Sequence, residues 1–339
     1  MRNIVPMIPY PRPDTVNIRG LRFRSFSGPS DYPAMVEIMN ATARADQLEY
    51  NETVEDVAHL FAHLANCNPQ EDMIFAEAAG RPIAYGRVFW RDEVTGLRRY
   101  TSLGFIDPEY RRRGLGKAIL SWNQERLAEV ARAHDPEIDK TYNAYAVDTS
   151  AGAVTLLERS GYRMARRMVE MIRPINPPPP AAPLPDGLRI LPTALEHYPA
   201  IWSARAEAFA DHWGFTAPTP EDFERWKQER QFQPQLWKVA WDGGEVAGAV
   251  LNHVDVQRNA WAGKERGYTQ GVFVRRPWRR RGLARALLTE SIRMFREMGM
   301  EETLLAVDAT NPLGAHDLYA DTGYRPAISH LHYRKPLSV

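Results

Sequence analysis

The chain has a single cysteine, Cys67, in 339 residues. That excludes an internal disulfide and a cysteine-rich metal site, and it fits a reducing compartment. No histidine can be tied to Cys67, so it reads as a small buried side chain and not as a nucleophile. Long apolar runs are also missing. No window approaches the roughly 18 residues of a membrane span, and the stretch from Met1 to Pro9 is too weakly apolar for a secretory signal. The expectation is a cytoplasmic protein with no membrane partner and no metal. An excess of one charge is absent too: 43 Lys and Arg face 42 Asp and Glu, a formal charge of +1. No overall field therefore favours nucleic acid as a partner, and the clustered arginines must be read locally.

What is present is duplication. The length suits about two domains, and 44% hydrophobic residues can fill a core in each. Residues 174–187 are half proline, which reads as a semi-rigid extended linker because proline fixes φ and cannot donate a backbone hydrogen bond. The expected domains are 1–173 and 188–339. The pentapeptide Arg-Arg-Arg-Gly-Leu occurs at 111–115 and again at 279–283, and a Gly-Tyr pair recurs at 161–162 and 323–324. Periods this long mean duplicated domains, not a solenoid.

Each half presents the same order of elements. A short strand (21–24; 188–191) precedes a helix (32–45; 196–209). A second helix opens on Thr53 or Thr219, each followed by acidic first-turn residues. A hairpin (73–78 with 83–90; 236–241 with 246–254) turns at Gly80 or at Gly243 and Gly244. A third strand then leads into the arginine-glycine loop and a helix (114–133; 282–298). Another strand (142–147; 303–307), a short helix and the Gly-Tyr pair follow. The fold class is α+β.

The loops carry the chemistry. A helix N-terminus exposes unpaired N–H groups and a partial positive charge, so a glycine-rich entry suits phosphate. Gly114 with Gly116, and Gly282 with Ala284, keep side-chain bulk off the ligand face. Arg111, Arg112 and Arg113, like Arg279, Arg280 and Arg281, can add charge-assisted bonds. A P-loop needs Gly-Lys-Ser/Thr and a Rossmann fingerprint needs three glycines, so neither applies.

Arg111-x-x-Gly114-x-Gly116 and Arg279-x-x-Gly282-x-Ala284 match the Arg/Gln-x-x-Gly-x-Gly/Ala signature of the GNAT superfamily. Most of each half resembles that family, including the later Asn311-Pro312, Leu318-Tyr319 and Gly323-Tyr324 elements. The chain looks like a tandem GNAT protein, an arrangement also seen in mycothiol synthase. The resemblance implies two domains, each a mixed, mainly antiparallel twisted sheet flanked by helices. It implies acetyl-CoA as acyl donor, held by the loop residues Arg111 to Lys117 (Arg111, Arg112, Arg113, Gly114, Leu115, Gly116, Lys117) and Arg279 to Arg285 (Arg279, Arg280, Arg281, Gly282, Leu283, Ala284, Arg285). Splayed fourth and fifth strands would receive the pantetheine arm, with backbone N–H groups of Val272, Phe273 and Val274 stabilising the oxyanion.

The family often uses a tyrosine to protonate the departing thiolate. Aligning 156–162 with 318–324 places Leu157 opposite Tyr319, and the same register puts Thr149 opposite Asn311. The resemblance therefore makes Tyr319 the catalytic acid and Asn311 a CoA contact, with the C-terminal half catalytic and the N-terminal half degenerate. No base stands out. The segment after the first helix of the second half, with Asp211, His212, Trp213 and Phe215, is the candidate wall of a pocket for a small-molecule or peptide amine. The leading expectation is an N-acetyltransferase acting by direct attack. A mycothiol synthase-like enzyme is its narrower form, and a non-catalytic acyl-CoA sensor or scaffold is the rival.

Overall fold

Thr53 and Thr219 each close a reciprocal capping box, with Asp56 and Asp222 respectively. Two orphan donors are satisfied at each helix start, worth about 1 kcal/mol apiece. In this computed structural model, residues 8–49, 51–310 and 314–338 are described. The elements in chain order are β1 (Arg22–Arg24), α1 (Tyr32–Ala45), α2 (Val54–Ala62), α3 (Pro69–Asp72), β2 (Met73–Ala78), β3 (Arg81–Asp92), β4 (Arg98–Ile106), α4 (Leu115–Arg132), β5 (Lys140–Val147), α5 (Ala151–Arg159) and β6 (Arg163–Pro174). They continue with β7 (Arg189–Leu191), α6 (Tyr198–Phe209), α7 (Pro220–Gln228), β8 (Lys238–Asp242), β9 (Glu245–His253), α8 (Val256–Ala262), β10 (Arg266–Val274), α9 (Leu283–Glu297), β11 (Glu302–Asp308), α10 (Ala315–Asp321) and β12 (Arg325–Pro336). The short helix α8, capped by Asp255 accepting from the Arg258 N–H, interrupts a stretch where the sequence suggested no element.

Two units result, Met1–Ala165 with His330–Val339, and Arg166–Ser329. The first builds its sheet from β1 to β5 in order, antiparallel except for β4 beside β5, and finishes it with residues 330–336 of β12. The second runs β7, β8, β9, β10, β11, again with one parallel pair, and finishes with residues 168–174 of β6. These units differ from the expected division at 173 and 188. Val169 and Met171 of β6, with Ile175, belong to the core of the second unit, and Leu331 and Tyr333 of β12 to that of the first. Alternating apolar residues mark each segment as a half-buried strand. The alternation does not say which sheet the strand joins.

The start of the proline-rich segment is held in place. The Ile175 N–H donates to the Glu301 carbonyl (2.8 Å), and the Arg173 guanidinium donates to the carbonyls of Thr322, Ile175 and Pro177. Further on, Leu184 packs beside Leu188, Leu283 and Leu287.

Each sheet is covered on both faces. In the second unit, α6 and α7 bring Ile201, Ala204 and Trp226 against Phe273 and Leu251. On the opposite face α9 and α10 bring Leu288, Ile292 and Tyr319 against Leu305 and Val307. Burying each large apolar side chain contributes about 1.5–3 kcal/mol. Gly267 is obligatory here, because a Cβ would lie 2.4 Å from the buried Phe295 ring.

His253 ends β9 opposite Tyr268 and stacks on its ring at 5.3 Å. Its Nδ1 is buried with no hydrogen-bond partner. Burial pulls its pKa from 6.5 down to about 4, against the opposing pull of Asp255. The unfolded chain then binds a proton near pH 6.5 that the folded chain refuses, so stability falls as pH drops through that window. The expected loss from this group is about 2 kcal/mol between pH 7 and pH 5. Urea titrations of the wild type and His253→Phe at both pH values measure it, and the variant should lose that increment of acid sensitivity. Cys67 is half-buried, and its thiol is pushed up to about 12, first by desolvation and then by Asp72. It is therefore protonated and unsuited to nucleophilic attack.

Candidate active site

The parallel pair of each unit opens part-way along its length. In the second unit β10 and β11 are paired from Arg266 opposite Glu302 to Thr269 opposite Leu305, and no pairing continues beyond this point among the described residues. There β10 also slips against β9, between Thr269 and Gly271, and Gln270 is exposed. Such a bulge takes one residue out of the ladder and re-aims the strand. Beyond it, alternate backbone groups of 271–274 face the gap. The first unit opens after Ser102 opposite Ala144, but β4 keeps an unbroken register against β3 from Arg98 to Ile106. Only the second gap has a bulge on its third-strand side. The glycine in Gln270-Gly271, where the first half has Ser102-Leu103, is the sequence signal for it.

The two arginine-glycine loops share one conformation. Arg112 and Gly114 have φ of 64° and 92°, and Arg280 and Gly282 have 63° and 84°. Left-handed residues in such a turn aim successive N–H groups toward one side, and the first turn of α4 or α9 adds more. The result is a turn whose N–H groups suit an anion.

The arginines divide between two tasks. Arg111 makes a bidentate pair with Asp46 (2.6 and 2.9 Å). Arg279 donates to the carbonyls of Val274 (3.0 Å) and Ala208 (3.2 Å) and lies 3.5 Å from Asp211. Both act as braces tying the loop to neighbouring elements. Arg112 and Arg280 are exposed and have no hydrogen-bond or ion-pair partner among the described residues. Arg113 lies over the Tyr110 ring, Arg281 reaches the Asp186 carbonyl only at 3.5 Å, and Lys117 is exposed. These four arginines and the lysine are the cations open to a phosphate. Arg285 pairs with Asp321 (2.9 Å) at the surface. Leu115 and Leu283 are buried as core anchors of their helices.

A Cβ on Gly116 would sit 3.2 Å from the side chains of both Ile106 and Leu156, so the glycine also lets these two side chains pack at the start of the helix. Ala284, half-buried, fills the matching place in the other unit.

Tyr319 is 5% exposed, in a cluster that includes Leu305 and Val307 of β11, with Val272 of β10 packed against it. It therefore lies where the two strands diverge, on the α9 face. Burial raises its pKa well above that of an ordinary phenol, and Tyr324, 6.1 Å away ring to ring, adds to the rise. The hydroxyl stays protonated at neutral pH and has no hydrogen-bond partner among the described residues, so it is a proton donor in reserve. Leu157 occupies the matching place in the first unit, buried among Leu120, Ala144 and Tyr162. Thr149, matched to Asn311, donates to the Asp46 carbonyl (2.6 Å). Asn311 lies outside the described residues.

The acceptor-side candidates separate. Asp211 is held by Arg276 at 2.5 Å, and the hydrogen bond from Arg276 holds its carboxyl below the usual range. It is a loop anchor with no free oxygen aimed at the gap. His212 is half-buried against Phe209 (4.4 Å), and desolvation lowers its pKa, with Asp308 at the end of β11 pulling the other way and Arg279 reinforcing the fall. Its imidazole is neutral at pH 7 and lies among groups from the open ends of both strands. Trp213 is covered by the Arg166 guanidinium at 5.5 Å. Arg166 donates to Thr310 and approaches Asp308 at 3.8 Å. Phe215 is half-buried in the same loop, its N–H donating to the His212 carbonyl. Phe273 packs toward Phe209, while Val272 and Val274 pack on the α9 face.

Two side chains near this gap are not singled out by any motif, Arg205 of α6 and Glu229 just after α7. Arg205 falls four residues after Ile201 and four before Phe209, on the apolar stripe of the helix. A charge on that stripe is the signal the sequence holds for it. Among the described residues no cluster of three or more His, Cys, Asp or Glu could hold a metal, and no helix is long and apolar enough to cross a membrane.

Comparison with known proteins agrees with this geometry. The acetyltransferase (GNAT) family matches residues 33–162 and again 198–324. A mycothiol acetyltransferase of Geodermatophilus obscurus is 27% identical over 300 residues, covering 87% of this chain and 91% of that protein. One of Beutenbergia cavernae is 30% identical over 247 residues, covering 68% and 75%. The crystal structure of a GCN5-related N-acetyltransferase from Sphaerobacter thermophilus is 27% identical, with a TM-score of 0.71 over 95% of this chain and 97% of that one. A tandem GNAT protein from the clavulanic acid biosynthesis pathway shares the fold at 14% identity, with a TM-score of 0.69 over 94% and 99%. With both of its units matched and the loop, gap and flanking helices in place in each, the chain belongs to the GNAT family of acetyltransferases and is a tandem N-acetyltransferase.

Proposed function

We propose that the second unit transfers the acetyl group of acetyl-CoA to the primary amine of a small molecule or peptide by direct attack, with Tyr319 protonating the departing CoA thiolate. The contrast at the strand gap carries this reading. The second unit has a bulged β10 and a buried hydroxyl, and the first has an unbroken β4 and Leu157. When bound, acetyl-CoA supplies the activated thioester. The residues fit it: the N–H groups of the loop, with Arg280 and Arg281, would hold the pyrophosphate, and the open end of the β10/β11 pair, past Thr269 and Leu305, would receive the extended arm. Backbone N–H groups within 272–274 are available to charge developing on the acyl oxygen.

His212 is the proton acceptor in this scheme. Its lowered pKa keeps the imidazole neutral, as a base requires. Asp211 holds Arg276 and Arg279 and positions the loop. The first unit has the same anion cradle without the hydroxyl, which supports acetyl-CoA binding there without turnover. The names of the relatives make mycothiol formation the narrower form of this reading.

Release of free CoA thiol from acetyl-CoA across a panel of primary amines tests it. Amine-dependent release is the expected result, and acetyl-CoA binding without release for any amine would contradict it. With the best amine, kcat/KM should fall as pH drops through the His212 pKa, below 6.5, because the protonated ring cannot accept a proton. His212→Gln should remove that limb and lower kcat by about 10²-fold. An unchanged limb assigns the base elsewhere.

A further inference from the structure

Arg205 projects from α6 toward the point where β10 leaves β11. Its Nε lies 4.0 Å from where a Cβ on Gly271 would be, immediately after the bulge. The guanidinium carbon is 5.6 Å from the Trp202 ring centre and 5.9 Å from that of Phe209. The side chain as a whole is half-buried, yet Nε is fully buried with no hydrogen-bond partner. No carboxylate reaches ion-pair distance of it among the described residues. Glu229 is the counter-charge that acts on it, and only at longer range.

That state is unusual for an arginine. Five donors in a planar fork are normally taken up by carboxylates, carbonyls or water, and a buried N–H left unpaired is unfavourable by about 1–3 kcal/mol. Three other guanidiniums of the chain follow the usual pattern: Arg266 has Glu302, Arg126 has Asp72, and Arg279 has two carbonyls. Arg205 is also specific to one unit. The helices α1 and α6 both open with Tyr-Pro-Ala, which places Met39 opposite Arg205, and the shared Arg-Arg-Arg-Gly-Leu loop places Leu103 opposite Gly271. Met39 packs with the aromatic cluster of Phe26, Phe75 and Tyr85. Arg205, the glycine beside it, the bulge and Tyr319 thus all fall in the same unit, while the unpaired guanidinium of the first unit, Arg87, sits elsewhere, on β3.

We infer that Arg205 is the specificity residue of the acceptor site, and that the acceptor is a primary amine carrying a carboxylate, which the Arg205 fork binds beside the bulge at Gly271. This rests on the acetyl-transfer reading for the second unit. A carboxylate supplies two acceptor oxygens in the plane of the fork, satisfying the donors that the protein leaves open. Trp202, Phe209 and Phe223 make the adjoining wall apolar, so an amino acid with an aromatic or aliphatic side chain fits better than a polar one. Glu229, with a carboxyl kept partly desolvated, faces the same cation and offsets its charge before the acceptor arrives.

The test compares the twenty proteinogenic amino acids with their amides and with the corresponding decarboxylated amines, in the full chain, by kcat/KM. The carboxylate form should be preferred at least tenfold for the best side chain. Arg205→Met, which copies the residue of the first unit, should lower kcat/KM for that amino acid about a hundredfold, mainly through KM, and change the matching decarboxylated amine no more than about threefold. Arg205→Lys should recover part of the loss. A second readout does not need turnover: L-phenylalanine with CoA should raise the melting temperature of the wild type and not of Arg205→Met. A wild type that prefers neutral amines, or an Arg205→Met variant that loses all amines alike, overturns the inference while leaving acetyl transfer intact. If no amine releases CoA, the acetyl-transfer reading fails. The melting-temperature readout then decides the carboxylate site alone, and equal shifts in both proteins overturn it.

Discussion

Tyr319→Phe is expected to lower kcat by about 10²–10³-fold while the KM for acetyl-CoA changes less than about threefold. The substitution removes one oxygen from a side chain that is 5% exposed and keeps the ring that packs against Tyr324, Leu305 and Val307. Folding should be nearly untouched, because the hydroxyl has no hydrogen-bond partner to lose among the described residues. What disappears is the proton for the sulfur that leaves. Burial holds the phenol pKa far above 10, so the acid is present throughout the usual assay range. The loss should therefore be the same at pH 6.5 and pH 9. A loss that grew with pH would mean that the proton comes from a group titrating in between.

Glu302→Ala should destabilise the second unit by about 3–5 kcal/mol, read as a shifted unfolding transition in urea. Arg266 and Glu302 face each other at the first register position of the β10/β11 pair, with contacts of 2.6 and 2.9 Å. Arg266 is 1% exposed, so removing the carboxylate takes away the acidic partner of a charge that water cannot reach. Glu302→Gln, which keeps an acceptor, should be milder. The pair closes the strands at one end and so sets where they part, three residues further on. A stable Glu302→Ala protein would show that the splay is held by the flanking helices alone.

The arginine-glycine loops and the contrast between the two halves are legible in the amino-acid sequence. The duplicated loops require left-handed residues and a helix start, and both are encoded locally by glycine and the amphipathic run that follows. The matched register of the two halves also shows Leu157 opposite Tyr319. Three features are not legible there, for separate physical reasons. The exchange of terminal strands depends on which sheet edge each strand meets, and an alternating pattern suits either edge. The use of Arg111 and Arg279 as braces depends on partners at Asp46, Ala208 and Val274, the first two over 60 residues away in sequence. Arg205 is readable as a charge on an apolar stripe, but its unpaired state is a property of the assembled gap. Asn311 remains a sequence-based proposal, lying outside the described residues.

The central claim is that one of two look-alike cradles feeds the chemistry. Gly114 and Gly282 give a matched pair, because each starts its helix at positive φ and a valine at either is strained in the same way. The most direct measurement is kcat for CoA release in Gly114→Val and Gly282→Val at saturating amine. Gly282→Val is expected to lose nearly all turnover, and Gly114→Val to keep kcat within about twofold. Loss in Gly114→Val with retention in Gly282→Val would place the reaction in the first unit and contradict that claim.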